Sequence, residues 1–298
     1  MSAILSSKPS TLVLGAGELG ACVLRELALL RNQGQAGPIS VLLRPGSRTD
    51  PRETGAEAVE ADLATATVTA LAQVFSRFDQ VICCTGFVGG PGTQRKITDA
   101  VLKAGIAHYI PWQFGVDYDR IGRGSGQDVW DEQLDVRDML RGQDQVRWTI
   151  ISTGIFTSFV FLPAFGLVDL AGNTVRALGD WDYRLTATTP QDIGHLTARI
   201  ATSRPDFDDQ VVFVAGDTFS YRELADTVER VLGRPMRRHC WTVPQLQADA
   251  AAHPQDTLRK YRLAFAREHG VAWPKDASFN ARQGIAVTDL ETWLRQQA

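Results

Sequence analysis

Through the first half of the chain, short apolar runs alternate with longer stretches whose apolar positions recur every three or four residues. The short runs are Thr11–Leu14, Ile39–Leu43, Gln80–Cys84, Ala107–Ile110 and Trp148–Ser152, each of strand length. The periodic stretches between them predict helices over Glu18–Arg31, Thr67–Phe75, Gln94–Lys103 and Gln127–Arg141. No tight hairpin signal joins neighbouring strands. Strands that are each followed by a helix predict a parallel sheet with right-handed crossovers, an α/β doubly wound arrangement.

The second half is less regular. Thr186–Thr189 and Gln210–Ala215 read as strands, with a helix over Gln191–Ser203 between them. Ser220-Tyr-Arg-Glu223 reads as a capping box that opens an amphipathic helix to Leu232, with Gly233 as its stop. Helical patterns follow over Asp256–Glu268 and Thr288–Gln296. No Pro/Gly tether separates two domains. The expected organisation is a sheet domain over residues 1–156, completed by segments within 186–216, and a smaller C-terminal lobe over 157–298 interleaved with it.

One stretch, Trp148–Val168, has no charged side chain and is about long enough to span a bilayer. Its Thr149, Ser152, Thr153, Gly154, Thr157, Ser158, Pro163 and Gly166 favour a buried strand followed by the wall of an apolar pocket. The N-terminus lacks the charged start and apolar core of a signal peptide. No membrane association is expected.

Composition narrows the classes further. The chain has 298 residues, 31 Lys+Arg against 34 Asp+Glu, and a formal net charge of -3. Nucleic-acid and anionic-membrane binders draw affinity from clustered positive charge, so neither class is expected. With 44% hydrophobic and 22% charged residues the chain is an ordinary globular protein. Cys22, Cys83, Cys84 and Cys240 form no CxxC pair and read as small apolar residues, which suits a reduced, cytoplasmic setting. The five histidines make no metal-ligand pattern, and no metal is expected. The sequence leaves open a monomer or a homodimer.

Gly15-Ala-Gly17-Glu18-Leu19-Gly20 follows the first strand directly and opens the first helix. In that context Gly15 permits a tight turn, Gly17 lets backbone approach a pyrophosphate, and Gly20 lets helix pack on strand. The free N–H groups of the helix start suit the anion. A Rossmann-type dinucleotide site follows. At the end of the second strand an NAD site carries an acidic residue; here stand Arg44 and, past Pro45-Gly-Ser, Arg48. Two guanidinium forks suit a ribose 2′-phosphate, so NADPH/NADP+ is the expected cofactor. The plain alternative is a pair of solvated surface arginines.

At this point the sequence resembles the isoflavone reductase and phenylcoumaran benzylic ether reductase family, grouped with NmrA-like atypical short-chain dehydrogenase/reductases. The residues that carry it are Gly15 to Gly20, Arg44, Val59-Glu-Ala-Asp62-Leu, Val81-Ile-Cys-Cys-Thr-Gly86, Gln94, Ala104-Gly105, Ile110-Pro-Trp-Gln-Phe-Gly115, Asp131 to Arg137, Ser152-Thr-Gly-Ile-Phe156 and Asp192-Ile-Gly194. The resemblance implies NADPH on the glycine loop, with Arg44 and Arg48 on its 2′-phosphate. It implies Asp62 near the adenine, Thr85, Gly86 and Phe87 along phosphates and ribose, Gln113 in the cofactor site and Phe156 near the nicotinamide. It also implies an oxidoreductase acting on a small molecule by hydride transfer.

Two departures from the family matter. Its Pro-Ser-Glu-Phe-Gly is Pro111-Trp-Gln-Phe-Gly115 here, and its proton-transferring lysine is Gln133, which cannot act as acid or base. The ordinary YxxxK is missing too, since Tyr109, Tyr118, Tyr183, Tyr221 and Tyr261 are followed four places on by Gln113, Gly122, Ala187, Ala225 and Phe265. Gln133 falls on the apolar face of its helix beside Trp130, Leu134, Val136 and Leu140, where it either polarises a substrate carbonyl or satisfies nearby backbone. Tyr118, in the loop beyond the carboxyl end of strand Ala107–Ile110, is the first candidate acid; a packing aromatic is the alternative. Trp112, Phe114, Phe159 and Trp181 are expected to wall an apolar substrate site. Three readings remain: a reductase of a carbonyl, enone or related polarised carbon on an aromatic small molecule, a non-catalytic NADP(H)-sensing regulatory protein, or NADP-dependent chemistry without net redox change.

Overall fold

The computed structural model describes residues 8–47, 49–50, 55–87 and 89–297. They divide into two compact units, each built from several pieces of chain. The first unit takes 1–113, 135–151 and 193–212; the second takes 114–134, 152–192 and 213–298.

The first unit is built on a seven-stranded sheet in the order Gln210–Phe213, Arg147–Ser152, His108–Ile110, Gln80–Cys83, Thr11–Leu14, Ile39–Leu43, Glu57–Glu60. From Arg147–Ser152 to Glu57–Glu60 the neighbours run parallel, and Val13 sits between Val41 and Ile82. Leu12, Val13, Leu14, Val81, Ile82 and Cys83 are wholly buried, as strands covered on both faces must be. The chain first builds outward from Thr11–Leu14 on one side, then crosses to the other. The strand order therefore reverses between Thr11–Leu14 and Gln80–Cys83, the switch point where such sheets open a crevice at their carboxyl ends.

Helices Val68–Phe75 and Thr93–Ala104 cover one face through Leu71, Phe75, Ile97 and Val101. Thr67 Oγ1 accepts from Ala70 N at 3.2 Å to start the former, and Gly105, at φ 63°, stops the latter. Helix Glu18–Asn32 buries Leu19, Val23, Leu24, Leu27 and Leu30. Helix Pro190–Thr202 comes so close to it that a Cβ on Gly194 would stand 2.6 Å from Cys22 Cβ, and His195 Nδ1 meets Glu26 Oε2 at 2.9 Å.

The second unit holds two three-stranded sheets. One joins Asp217–Ser220, Arg184–Thr188 and Ile155–Phe156; the other joins Arg237–Trp241, Thr174–Leu178 and Val168–Asp169. Helix Tyr221–Leu232 starts on the expected capping box, with Ser220 Oγ accepting from Glu223 N at 3.1 Å and Glu223 Oε2 from Ser220 N at 2.7 Å. Trp130, Phe165, Leu185, Phe219, Tyr221, Leu224 and Phe265 form its core.

Several elements differ from the sequence pattern. The strand expected at Thr186–Thr189 is Arg184–Thr188, and it does not extend the large sheet. After Ser152 the chain turns away: Gly115 O accepts from both Thr153 N and Gly154 N at 2.9 Å. Gly154 has φ +73°, and a Cβ there would overlap the Thr186 carbonyl, so this turn brings Arg184–Thr188 against Ile155–Phe156. The segment Gln210–Phe213 does complete the sheet. The strand Glu57–Glu60 has no apolar pattern that predicts it, because only Val59 is buried; its acidic residues face outward on the sheet edge. Of the uncharged stretch Trp148–Val168, residues 148–152 lie in strand Arg147–Ser152, followed by strand Ile155–Phe156 and helix Thr157–Val160. Among the described residues no helix is long and apolar enough to cross a membrane.

Candidate functional site

In the first unit, Gly15–Gly20 leaves the end of Thr11–Leu14, and Thr85–Phe87 leaves the end of its neighbour Gln80–Cys83. Gly15 has φ +88°, and its Cβ position lies 3.2 Å from Thr85 Cγ2, so the two turns touch. A Cβ on Gly20 would overlap the Gly15 carbonyl, which explains glycine there by packing alone. Gly17 is different. Nothing stands within 4 Å of its Cβ position, and it is the helix N-cap with no side-chain hydrogen bond. Glu18 is exposed and Leu19 packs inward. The loop thus presents open space directly in front of free helix N–H groups.

Arg44 is the first residue past Ile39–Leu43 and is exposed, at the start of a turn closed by Ser47 N to Arg44 O at 3.0 Å. Arg48 lies outside the described residues. Asp62 Oδ1 accepts from Ala64 N at 2.8 Å and Oδ2 from Thr65 Oγ1 at 2.9 Å, and these bonds hold its carboxyl below the usual range.

The turn at Thr85–Phe87 is held from beneath. Gln94 Nε2 donates to Gly86 O and, at 3.5 Å, to Thr85 Oγ1. Gln94 is buried in the first turn of Thr93–Ala104, on the stripe shared with Ile97 and Val101. A polar residue on an apolar stripe was its available signal. Burial pushes the Cys83 and Cys84 thiols up, leaving them neutral beneath the turn. Phe87 meets Trp112 edge-on, with centroids 6.3 Å apart. Next to Trp112, Gln113 is wholly buried, and its Oε1 accepts from Arg137 Nε at 2.8 Å. Arg137 is itself wholly buried on helix Asp128–Arg141, although arginine is a residue type that local pattern assigns to solvent.

The other expected site residues belong to the second unit. Tyr118 begins the short helix Tyr118–Ile121 instead of lying in an open loop; Asp117 caps that helix, accepting from Arg120 N at 3.3 Å. Tyr118 is 5% exposed, edge-on to Trp130 at 6.0 Å, and its hydroxyl occupies the space a Cβ on Gly115 would need. Gln133 is wholly buried and donates to Val129 O at 3.4 Å, one turn earlier. Phe114 is buried, and Phe156 ends the short strand that pairs with Thr188. Phe159 stacks obliquely on Phe165 at 4.6 Å, and Trp181 packs part-buried on the core.

A doubly wound parallel sheet with a glycine turn at its switch point defines the Rossmann class of α/β folds. Within that class the chain belongs to the NmrA-like family, whose model matches residues 8–260. It is 40% identical over 296 residues to an NmrA-like family domain-containing oxidoreductase of Gibberella moniliformis, covering 95% of this chain and 96% of that protein. Its fold is similar to AtPrR2 solved with NADP+ and (+)pinoresinol, at TM-score 0.78, 17% identity and 99% and 100% coverage of the two chains. It is likewise similar to the leucoanthocyanidin reductase–NADPH complex of Vitis vinifera, at TM-score 0.77, 20% identity and 96% and 98% coverage.

Proposed function

We propose that this protein is an NADPH-dependent oxidoreductase that reduces a carbonyl, enone or related polarised carbon of an apolar, aromatic small molecule. The observation that carries the reading is the open space at Gly17, set between a closed Gly15–Gly20 contact and an uncapped helix start. A pyrophosphate fits such a turn, and Arg44 stands where a guanidinium would face a ribose 2′-phosphate. Asp62 follows strand Glu57–Glu60 and Thr85, Gly86 and Phe87 follow Gln80–Cys83 of the same sheet, and they would border the rest of the cofactor. The oxidoreductase description of the 40%-identical relative, and the NADP+ and NADPH in the two solved neighbours, support the same reading.

When bound, NADPH supplies the hydride. The chain's own residues do the rest. Gln94 holds the Thr85–Gly86 turn in place, and the Arg137–Gln113 bond fixes the residue beside Trp112. Gln133 can donate a hydrogen bond to a substrate oxygen but cannot transfer a proton, so polarisation is the role proposed for it. Tyr118 remains the candidate acid by residue type.

NADPH titration followed by an NADPH-oxidation screen across aryl ketones, enones and imines tests the reading. Tight NADPH binding with turnover of at least one class is expected. Binding without turnover on any class would instead assign the chain a sensing role, and absence of NADPH binding would overturn the reading.

A further inference from the structure

The second unit contains a cavity of about 720 Å³, lined by none of the residues named above for cofactor or reaction. One wall is residues 182–184, at the start of strand Arg184–Thr188; the other is the segment 268–276 that follows helix Thr257–Phe265. The segment is laced onto the strands beside it. Val271 O accepts from Thr186 N at 3.0 Å, Thr186 Oγ1 from Trp273 N at 3.1 Å, and Trp273 O from Thr218 Oγ1 at 3.0 Å.

Two aromatic rings line the cavity, and the fold holds both in place. Trp273 donates its indole N–H to Val214 O at 3.1 Å and meets Phe213 edge-on at 4.9 Å between centroids. Its single donor is spent, so it offers the cavity apolar ring surface. Tyr183 packs its ring on Gly179, where a Cβ would stand 2.7 Å from Cε2.

Around the rings stand three cations, Arg120, Arg184 and Lys275, and three carboxylates, Asp182, Glu268 and Asp276. Their charges cancel. Arg184 gives its NH2 group to Thr218 O at 3.0 Å, Asp182 faces Arg222 at 3.0 Å, and Arg120 rests on His269 Nδ1 at 3.3 Å. Lys275 and Asp276 are less engaged. Among the described residues neither side chain makes a hydrogen bond, and the ion pair of Lys275 with Asp217 spans 3.9 Å. A donor and an acceptor with spare capacity therefore stand side by side on the lining.

Ligand classes meet such a lining differently. A purely apolar molecule would cover charged groups without giving them partners. A simple ion would meet as many like charges as opposite ones. A hydroxyl both donates and accepts, so neighbouring hydroxyls of one ring can serve Asp276 and Lys275 while its C–H face lies on Trp273. The volume is in the range of small-molecule sites. We propose that this cavity is a second ligand site, for an uncharged pyranose sugar, with Trp273 as platform and Lys275 and Asp276 as hydrogen-bond partners of its hydroxyls. The site stands whether or not the first unit binds NADPH.

Saturation-transfer difference NMR on the full chain tests it. The probes are the methyl glycosides of glucose, galactose, mannose and xylose, with benzoate, benzylamine and phenylalanine as charged comparators. At least one glycoside is expected to give a saturable signal, strongest on its ring C–H protons, and the comparators to bind more weakly. Lys275→Ala combined with Asp276→Ala leaves Trp273 untouched and should weaken that glycoside about ten-fold or more, the worth of hydrogen bonds to charged groups. Thermal melts establish that the double variant is folded. Silence from all four glycosides, unchanged affinity in the double variant, or comparators that bind as tightly as the glycosides overturns the assignment.

Discussion

Arg137 Nε donates to Gln113 Oε1 at 2.8 Å, with both side chains wholly out of solvent. The bond ties helix Asp128–Arg141 to the residue that follows Trp112. An amide accepts the bond as well as a carboxylate does, but without neutralising the guanidinium. Gln113 is thus the acceptor for a buried cation.

Removing that acceptor leaves the guanidinium Nε buried without it. Gln113→Leu is expected to destabilise the protein by about 2 kcal/mol, the range for hydrogen bonds to charged groups. Urea unfolding reads this as a lower midpoint at unchanged slope. An unchanged midpoint would mean that the bond contributes nothing.

The glycines of the first turn separate by what a methyl group would meet. At Gly17 a Cβ meets nothing within 4 Å, whereas at Gly20 it overlaps the Gly15 carbonyl. Gly17→Ala is expected to melt like the wild-type chain yet bind NADPH at least about ten-fold more weakly, because it fills the space a pyrophosphate approaches. Gly20→Ala is expected to lose about 1–3 kcal/mol of stability by overpacking. If Gly17→Ala binds NADPH normally, the open space is not the phosphate site.

Arg44 is exposed past the second strand, so its charge is available to a ligand. The wild-type chain should bind NADPH far more tightly than NADH, and Arg44→Asp should abolish the difference by repelling the 2′-phosphate. Competitive titration of the two cofactors measures it. Equal affinities in the wild-type chain would remove the case for NADP(H).

Acid should weaken the fold through His108. The imidazole is wholly buried, with Nδ1 3.0 Å from Gln80 Oε1 and Nε2 2.9 Å from Thr149 Oγ1. Burial, reinforced by Arg204, pulls the imidazole from 6.5 down to about 3. Above pH 6.5 it is neutral in both folded and unfolded chains. Below that, the unfolded chain takes up a proton that the folded chain refuses, and stability falls with pH until about 3. Asp208 acts in the same direction: burial opposes its charge, but the hydrogen bond and charge of Arg204 outweigh this and hold it below its ordinary value. From pH 6.5 to 5 the His108 contribution lost is on the order of 2 kcal/mol. Melting temperatures of wild type and His108→Gln across pH 7 to 5 should show a flatter profile for the variant. Parallel profiles would exclude His108 as the titrating group.

Much of the first unit was legible because its signals are local. Four buried residues in a row at Thr11–Leu14, glycines at 15, 17 and 20, and the apolar stripe of Glu18–Asn32 each depend on neighbours within a few positions. Edge strand Glu57–Glu60 was not legible, since one buried valine among acidic residues has no period to detect. What Arg137 and Gln94 hold was hidden for the opposite reason. Each is a polar residue on a buried face, and only its partner explains it.

The order of strands and turns along the chain determined the doubly wound sheet and the position of the glycine turn at its switch point, because strand, turn and helix follow one another within a few residues. Tertiary structure alone decided where Arg184–Thr188 pairs, since that depends on Gly115 accepting from Thr153 and Gly154 and on the absence of a Cβ at Gly154. It also decided the surroundings of each tyrosine. Tyr118 and Tyr261 are the same side chain in the sequence, and packing turns one hydroxyl onto Gly115 while setting the other ring against Trp130 and Phe159. Burial and accessibility arise from residues far apart in the chain, and no local pattern encodes them.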